Sequence, residues 1–274
     1  MVAEQISFKK HQYSISDKKW NRVKNFPDQL GWVYGAHEIA DVFYIVQDNG
    51  IQNSNDELQK YDPTKKLTFC WSQSYTLGKK ILVFTDDTSK SGTIKVFDTQ
   101  TKRIIDKRID LKIKCFDAVE CLNRLWIVGG QETDDTVYNL VNKLKVYDPA
   151  SQTASVINIK MLQARKDHKV VSYKEKLFVF GGSDVDGKNL CSVELFSLET
   201  KRFVDLAPMR VARSDFACCK AGSNVYVIGG MTDDGPTDTI EVYNLDTDTW
   251  EWGTKLPEEV NQPVHACALR NKLE

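Results

Sequence analysis

An apolar run that ends on two adjacent glycines occurs three times in this chain. LWIVGG closes at Gly130, LFVFGG at Gly182 and VYVIGG at Gly230, and each is followed by a polar, acidic stretch. A glycine pair in the interior of an element is costly, so its recurrence after a four-residue apolar block marks strand ends where the backbone must turn or be approached closely. The same block occurs twice more without the glycines, as FYIV before Gln47 and ILVF before Thr85. Taking the residue after each block as a landmark, the series runs Gln47, Thr85, Gly129, Gly181, Gly229. Its period, roughly 45 residues, is too long for a leucine-rich repeat and falls in the range of propeller blades.

A second landmark follows each first one. An alternating stretch ends on an aromatic at Tyr61, Phe97, Tyr147, Phe196 and Tyr243, three times followed by Asp. Period-two alternation closed by a turn-forming residue predicts a half-buried strand. Phe203 and Trp250 stand seven residues after Phe196 and Tyr243, and Trp20 stands seven after Tyr13; Thr68, Ile104 and Ala154 occupy that place in the other units. Each unit therefore reads as four short strands, one before the apolar block, the block itself, the aromatic-ended strand and the Trp-type strand. Four-stranded antiparallel units repeated radially build a β-propeller.

These motifs resemble the Kelch repeat: Gly-Gly after an apolar strand, an aromatic closing the next strand, and Trp on the strand after that. MLQAR at 161–165 and MRVAR at 209–213 add to the likeness, since Arg165 precedes Gly181 by the same interval as Arg213 precedes Gly229. The resemblance is strong over 122–256 and weaker over 30–107. It implies an all-β chain forming one domain over 1–274, a six-bladed Kelch β-propeller with units near 31–70, 71–108, 113–160, 165–208 and 213–256. The sixth blade is expected from both ends of the chain, with 8–27 supplying its third and fourth strands and 263–274 its first. By this alignment the second strand of that blade is missing, as if the sequence were cut from a longer protein.

Composition narrows the function. The formal net charge of -1 argues against a general nucleic-acid binder. No apolar run approaches the ~20 residues of a spanning helix, so no membrane partner is expected. The N-terminus lacks a secretory layout and no N-x-S/T sequon occurs. Seven cysteines without a CxxC read as reduced core thiols, and the expected location is cytoplasmic. The four histidines, His11, His37, His168 and His265, fall in separate units, and no phosphate-loop or nucleophile motif is present, so neither a cofactor nor a metal is expected.

The resemblance implies a non-enzymatic protein-interaction module. Loops entering the first strand and loops after the second strand open on one face, because successive strands alternate in direction. The first set carries Lys112, Lys114, Arg165, Lys166, Arg210 and Arg213. The second carries Asp86, Asp87, Glu132, Asp134, Asp135, Asp184, Asp186, Asp233, Asp234 and Asp238. This predicts a basic inner ring inside an acidic rim. Kelch-type ubiquitin-ligase adaptors grip acidic groups with arginines at the places of Arg165 and Arg213, which implies a protein or peptide ligand of acidic character. The matching places elsewhere hold Gly31, Phe69, Ile113 and Asn261. Tyr34, Trp71, Phe116, His168 and Phe216, with Trp32 beside them, are the expected aromatic anchors. A cullin ligase would be recruited only through a BTB domain, which this sequence does not contain. Actin or cytoskeletal binding is the alternative, and a sugar-modifying or metal-dependent propeller enzyme the third reading.

Overall fold

The structure is a computed structural model. It describes residues 3–8, 11–14, 19–22, 33–40, 42–47, 50–53, 58–60, 73–85, 93–109, 111–133, 138–151, 153–257 and 267–271. Among the described residues every element is a strand, and six of the sheets are four-stranded and antiparallel.

Five of these sheets follow the chain in order. The first holds Val33–Ile39, Val42–Gln47, Gly50–Asn53 and Leu58–Lys60, and the second Gln73–Leu77, Lys80–Thr85, Thr93–Asp98 and Arg103–Arg108. The third holds Asp117–Cys121, Arg124–Val128, Lys143–Asp148 and Thr153–Lys160. The fourth holds Lys169–Tyr173, Lys176–Phe180, Val193–Ser197 and Arg202–Leu206, and the fifth Ala217–Ala221, Asn224–Ile228, Ile240–Asn244 and Thr249–Trp252. The opening strand of each sheet touches the opening strand of the next, and the circuit returns through Cys267–Asn271 to Val33–Ile39. A closed circuit of innermost strands is the defining topology of a β-propeller.

The seven-residue spacing is a cross-strand register. Phe196 pairs with Phe203, Tyr243 with Trp250 and Tyr13 with Trp20 across adjacent third and fourth strands. Phe97 with Ile104 and Tyr147 with Ala154 keep the same register without the aromatic. The first unit differs. Gly50–Asn53 takes the third place, so the stretch before Tyr61 supplies the fourth strand instead of the third. Tyr61 itself lies outside the described residues.

The core lies between sheets. Tyr243 and Trp250 of the fifth sheet close on Phe180 of the fourth, with ring centroids 5.5 and 6.0 Å apart. Trp126 of the third meets Phe196 of the fourth at 5.8 Å, and Tyr44 of the first meets Phe97 of the second at 5.7 Å. Aromatic pairs at these separations add to the burial of their area. Each sheet leaves two apolar faces that only its neighbours can cover, so stability depends on the ring.

The expectation of a missing strand is overturned. Ala3–Phe8 lies between Cys267–Asn271 and His11–Ser14, pairing Gln5 with Leu269 on one side and with Ser14 on the other, and Lys19–Arg22 completes the sheet. Aligned with the other repeats, AEQISF shows neither an apolar block nor a glycine pair. Its place is set by its position before the His11–Ser14 strand, which the repeat pattern cannot register.

Candidate functional site

The glycine pairs are the junctions between blades. All three have positive φ, near 53–61° at the first glycine and 94–96° at the second. A side chain at Gly181 would meet the Arg213 carbonyl at 2.7 Å and Phe216 Cε1 at 3.0 Å, both of the following blade. One at Gly182 would meet the Lys166 carbonyl at 2.5 Å and His168 Cβ at 2.8 Å, within its own blade. The amide of Gly182 donates to the Arg213 carbonyl, as that of Gly130 does to the Arg165 carbonyl, both at 2.9 Å. So the first glycine admits the next blade and the second admits the blade's own inner strand. L-residues have no low-energy substitute for this geometry.

Arg165 and Arg213 hold these same junctions from inside, and the expectation that they grip a partner is corrected. Both side chains have no exposed surface. Arg213 Nη1 donates to the carbonyls of Gly229 and Thr239 at 2.8 and 3.1 Å, and Nη2 donates to Thr239 Oγ1 and to Glu241 Oε1 at 3.0 and 2.8 Å. Arg165 repeats the pattern with Gly181, Ser192 and Glu194. Burial pulls both guanidinium pKa values down and the paired glutamate opposes it. A side chain so enclosed presents no surface to a ligand.

The two glutamates carry the arrangement outward. Glu241 also accepts the amides of Arg210 and Val211 at 2.7 and 3.1 Å, and Glu194 those of Leu162 and Gln163 at 2.8 and 3.1 Å. Each buried ion pair therefore fixes the connector into its blade, and the connector presents Leu162 or Arg210 to solvent. The weaker repeats lose both members together. Ile113 stands for the arginine in the third blade, and the glutamate position is Lys145, which donates to the Leu111 carbonyl. The same position is Lys95 in the second blade, paired with Asp106 at 2.9 Å, and Gln52 in the first, bonded to Gln47. Among the described residues no blade keeps the acid without its base, as the cost of an unpaired buried charge requires.

The aromatic expectations divide. Phe116, His168 and Phe216 occupy equivalent places and are buried, so they are corrected from surface anchors to packing residues: Phe116 lies against Tyr75 and Phe84, and Phe216 within the core between the fourth and fifth blades. Tyr34 lies on the Val33–Ile39 strand. Trp71 and Trp32 lie outside the described residues.

The acidic loops are in large part turn formers. Asp184 accepts the amides of Asp186 and Lys188, and Asp233 accepts both the amide and the side chain of Asn189, joining the fourth blade's loop to the fifth's. Glu132 and Asp238 pair with Lys143 and Lys255. Asp86, Asp87, Asp134 and Asp135 lie outside the described residues.

Beside these charged loop residues the face also exposes large apolar side chains. Leu162 is 54% exposed, Val185 71%, Met231 39% and Trp252 52%. All four lie on connectors after the fourth or second strand, or at the end of a fourth strand, and so on one face of the fourth and fifth blades. Arg210 is exposed with them. Its guanidinium carbon lies 5.4 Å from the Trp252 ring centroid, and its Nη2 donates to the Trp250 carbonyl at 2.9 Å. Among the other exposed large apolar side chains described, Ile105, Val156 and Val204 lie on outer strands and Leu122 at the opposite end of its blade. The sequence signal for this group was the matched placement of Leu162 and Arg210, each just ahead of a buried arginine.

The inner strands line an open pocket of about 230 Å³, bordered by His37, Ser74, Tyr75, Asp117, Lys169 and Cys218 among others. Asp117 accepts the Tyr75 hydroxyl at 3.1 Å and the Val170 amide at 2.6 Å, and His37 is bonded to Ser74 at 2.7 Å. Burial raises the Asp117 carboxyl, with Lys169 first among the groups that oppose it. Among the described residues no three His, Cys, Asp or Glu side chains group as metal ligands.

A closed ring of four-stranded sheets joined at glycine pairs is a Kelch-type β-propeller. Residues 116–272 match the KLHDC2/KLHL20/DRC7 Kelch-repeats domain, and the chain belongs to the Kelch-repeat family. Kelch-like protein 40 of Mus musculus is 31% identical over 144 residues, covering 53% of this chain and 23% of that protein. Kelch-like protein 7 of Rattus norvegicus is 30% identical over 130 residues, covering 47% and 21%. The chain thus matches about a quarter of the length of these relatives. The solved structure of YjhT superimposes with a TM-score of 0.61 at 12% identity, covering 71% of this chain and 68% of that one, a likeness of fold alone.

Proposed function

We propose that this propeller is a protein-interaction module that docks its partner on the loop face of the fourth and fifth blades. The observation that carries this is the Arg210–Trp252 stack on the same face as exposed Leu162, Val185 and Met231, with Arg210 and Leu162 on connectors that buried Arg–Glu pairs fix in place. Trp and Arg dominate protein-binding hot spots, and a preorganised loop loses less entropy on docking. The Kelch-like relatives support the finer reading, that the module selects substrates for a cullin ubiquitin ligase through a BTB-containing partner segment outside this sequence. A cytoskeletal role is the second reading, and co-sedimentation with filamentous actin separates the two.

The test is affinity capture from cytosol with the wild-type chain beside an Arg210→Ala/Trp252→Ala variant shown to be folded by its melting transition. The expected result is a specific partner, recovered with ubiquitin-ligase components rather than actin, that the double variant loses. An unchanged set of partners would remove this face from consideration.

A further inference from the structure

His168 stands where the third and fifth blades have Phe116 and Phe216, and it fills the same slot. Its Cε1 lies 2.8 Å from where a side chain at Gly129 would begin, as Phe216 Cε1 lies 3.0 Å from the corresponding point at Gly181. The ring is 1% exposed, and neither nitrogen has a partner in hydrogen-bond geometry. A buried polar side chain left unpartnered carries a desolvation cost that phenylalanine in the same slot does not.

We propose that His168 makes the junction between the third and fourth blades acid-labile, so that this seam loosens as pH falls below neutral while the next seam stays closed. Protonation would put a cation into a slot where neither nitrogen has a partner in hydrogen-bond geometry and no carboxylate is paired with the ring. At the third blade's side of the slot lie Gly129, the Met161 methyl and the Val128 carbonyl, none of them charged. In its own segment, which leads into the Lys169–Tyr173 strand, Arg165 and Lys169 repel a further positive charge; Arg165 is committed to Glu194, and Lys169 lies 3.9 Å from Asp117. Burial first, then these two cations, hold the imidazole well below its ordinary value, against a weaker pull from the Val128 carbonyl.

The sign follows from linkage. The folded protein favours the neutral ring, so its contribution is intact above the unfolded value of about 6.5 and is lost as pH drops below it, about tenfold in the opening equilibrium per pH unit. Asp167 and Asp215 act in the opposite sense. Burial raises both carboxyls, Asp167 to about 6 with Asp215 adding to it, so they favour the fold as pH falls. A variant that keeps both aspartates isolates the histidine.

Two backbone amides report on each seam. Gly130 and Asp167 donate across the third–fourth junction, to Arg165 and Cys115, and Gly182 and Asp215 across the fourth–fifth, to Arg213 and Asp167. Hydrogen exchange of the whole chain at pH 7 and pH 5, corrected for intrinsic rates, should show Gly130 and Asp167 losing protection by about 10- to 30-fold while Gly182 and Asp215 hold. In His168→Phe the loss should disappear. Equal behaviour of the two seams, or loss that persists in His168→Phe, overturns the proposal. The wild-type chain carries its own control in Phe216, so the outcome does not depend on the variant folding.

Discussion

At the scale of single residues, the molecule uses charge internally. Arg213→Ala would leave Glu241 buried without its partner, and the expected loss is about 3–5 kcal/mol by chemical denaturation. The third blade shows the compatible alternative, so Arg213→Ile/Glu241→Lys, which copies Ile113 and Lys145, should recover at least half of that loss. A double variant no better than the single would mean that the pair acts independently of its charge balance. Both arginines were visible in the sequence as recurrent, evenly placed residues. Their direction was not. Glu194 and Glu241 lie on the third strand of each blade, well beyond the arginine in sequence, and only the folded register brings them to the guanidinium groups. Spacing identifies a repeated position; whether it faces partner or core depends on what the next strands enclose. The anchors at Phe116, His168 and Phe216 were turned inward for the same reason, while Trp252 could not be told from Trp250 by type alone.

At the scale of elements, the strand–glycine–glycine unit combines two separate constraints that substitutions can part. Gly187 has φ of 77° with nothing within 4 Å of a new side chain, so Gly187→Ala bears only the backbone cost, about 1–2 kcal/mol. Gly182→Ala adds a collision with the Lys166 carbonyl at 2.5 Å and should destabilise by at least twice as much. Equal melting temperatures for the two variants would show that the junction relaxes freely. The second and third strands were readable because apolar blocks and cross-strand aromatics keep their spacing in every well-formed repeat. The first unit was misread at its third strand because no aromatic marks Gly50–Asn53. The repeat pattern also passed over Ala3–Phe8, whose pairing partner lies at the other end of the sequence.

At the scale of the whole molecule, the repeats are unequal. The fourth and fifth blades have glycine pairs, Arg–Glu pairs and aromatic pairs together, and the docking face we propose is built on them. The first and second replace these with Gln47–Gln52 and Lys95–Asp106 contacts. Removing residues 1–10 takes the second strand from the closing sheet and separates Cys267–Asn271 from His11–Ser14. The truncated chain should unfold at lower temperature and in a broader transition, by calorimetry, than the intact one. A sharp transition at the original temperature would show that the ring closes without that strand.

The closing sheet also sets how the ring answers force. Ala3 lies opposite Asn271 and Ser7 opposite Cys267, so the residues nearest the two termini meet at the same end of the pair. Tension applied at both termini loads those bonds one rung at a time, like the slider of a zipper, and does not shear the strands past each other. A tether on both ends would therefore open this molecule within its closing sheet under low load while the other five sheets kept their pairing. The place where the chain meets itself is its mechanical fuse.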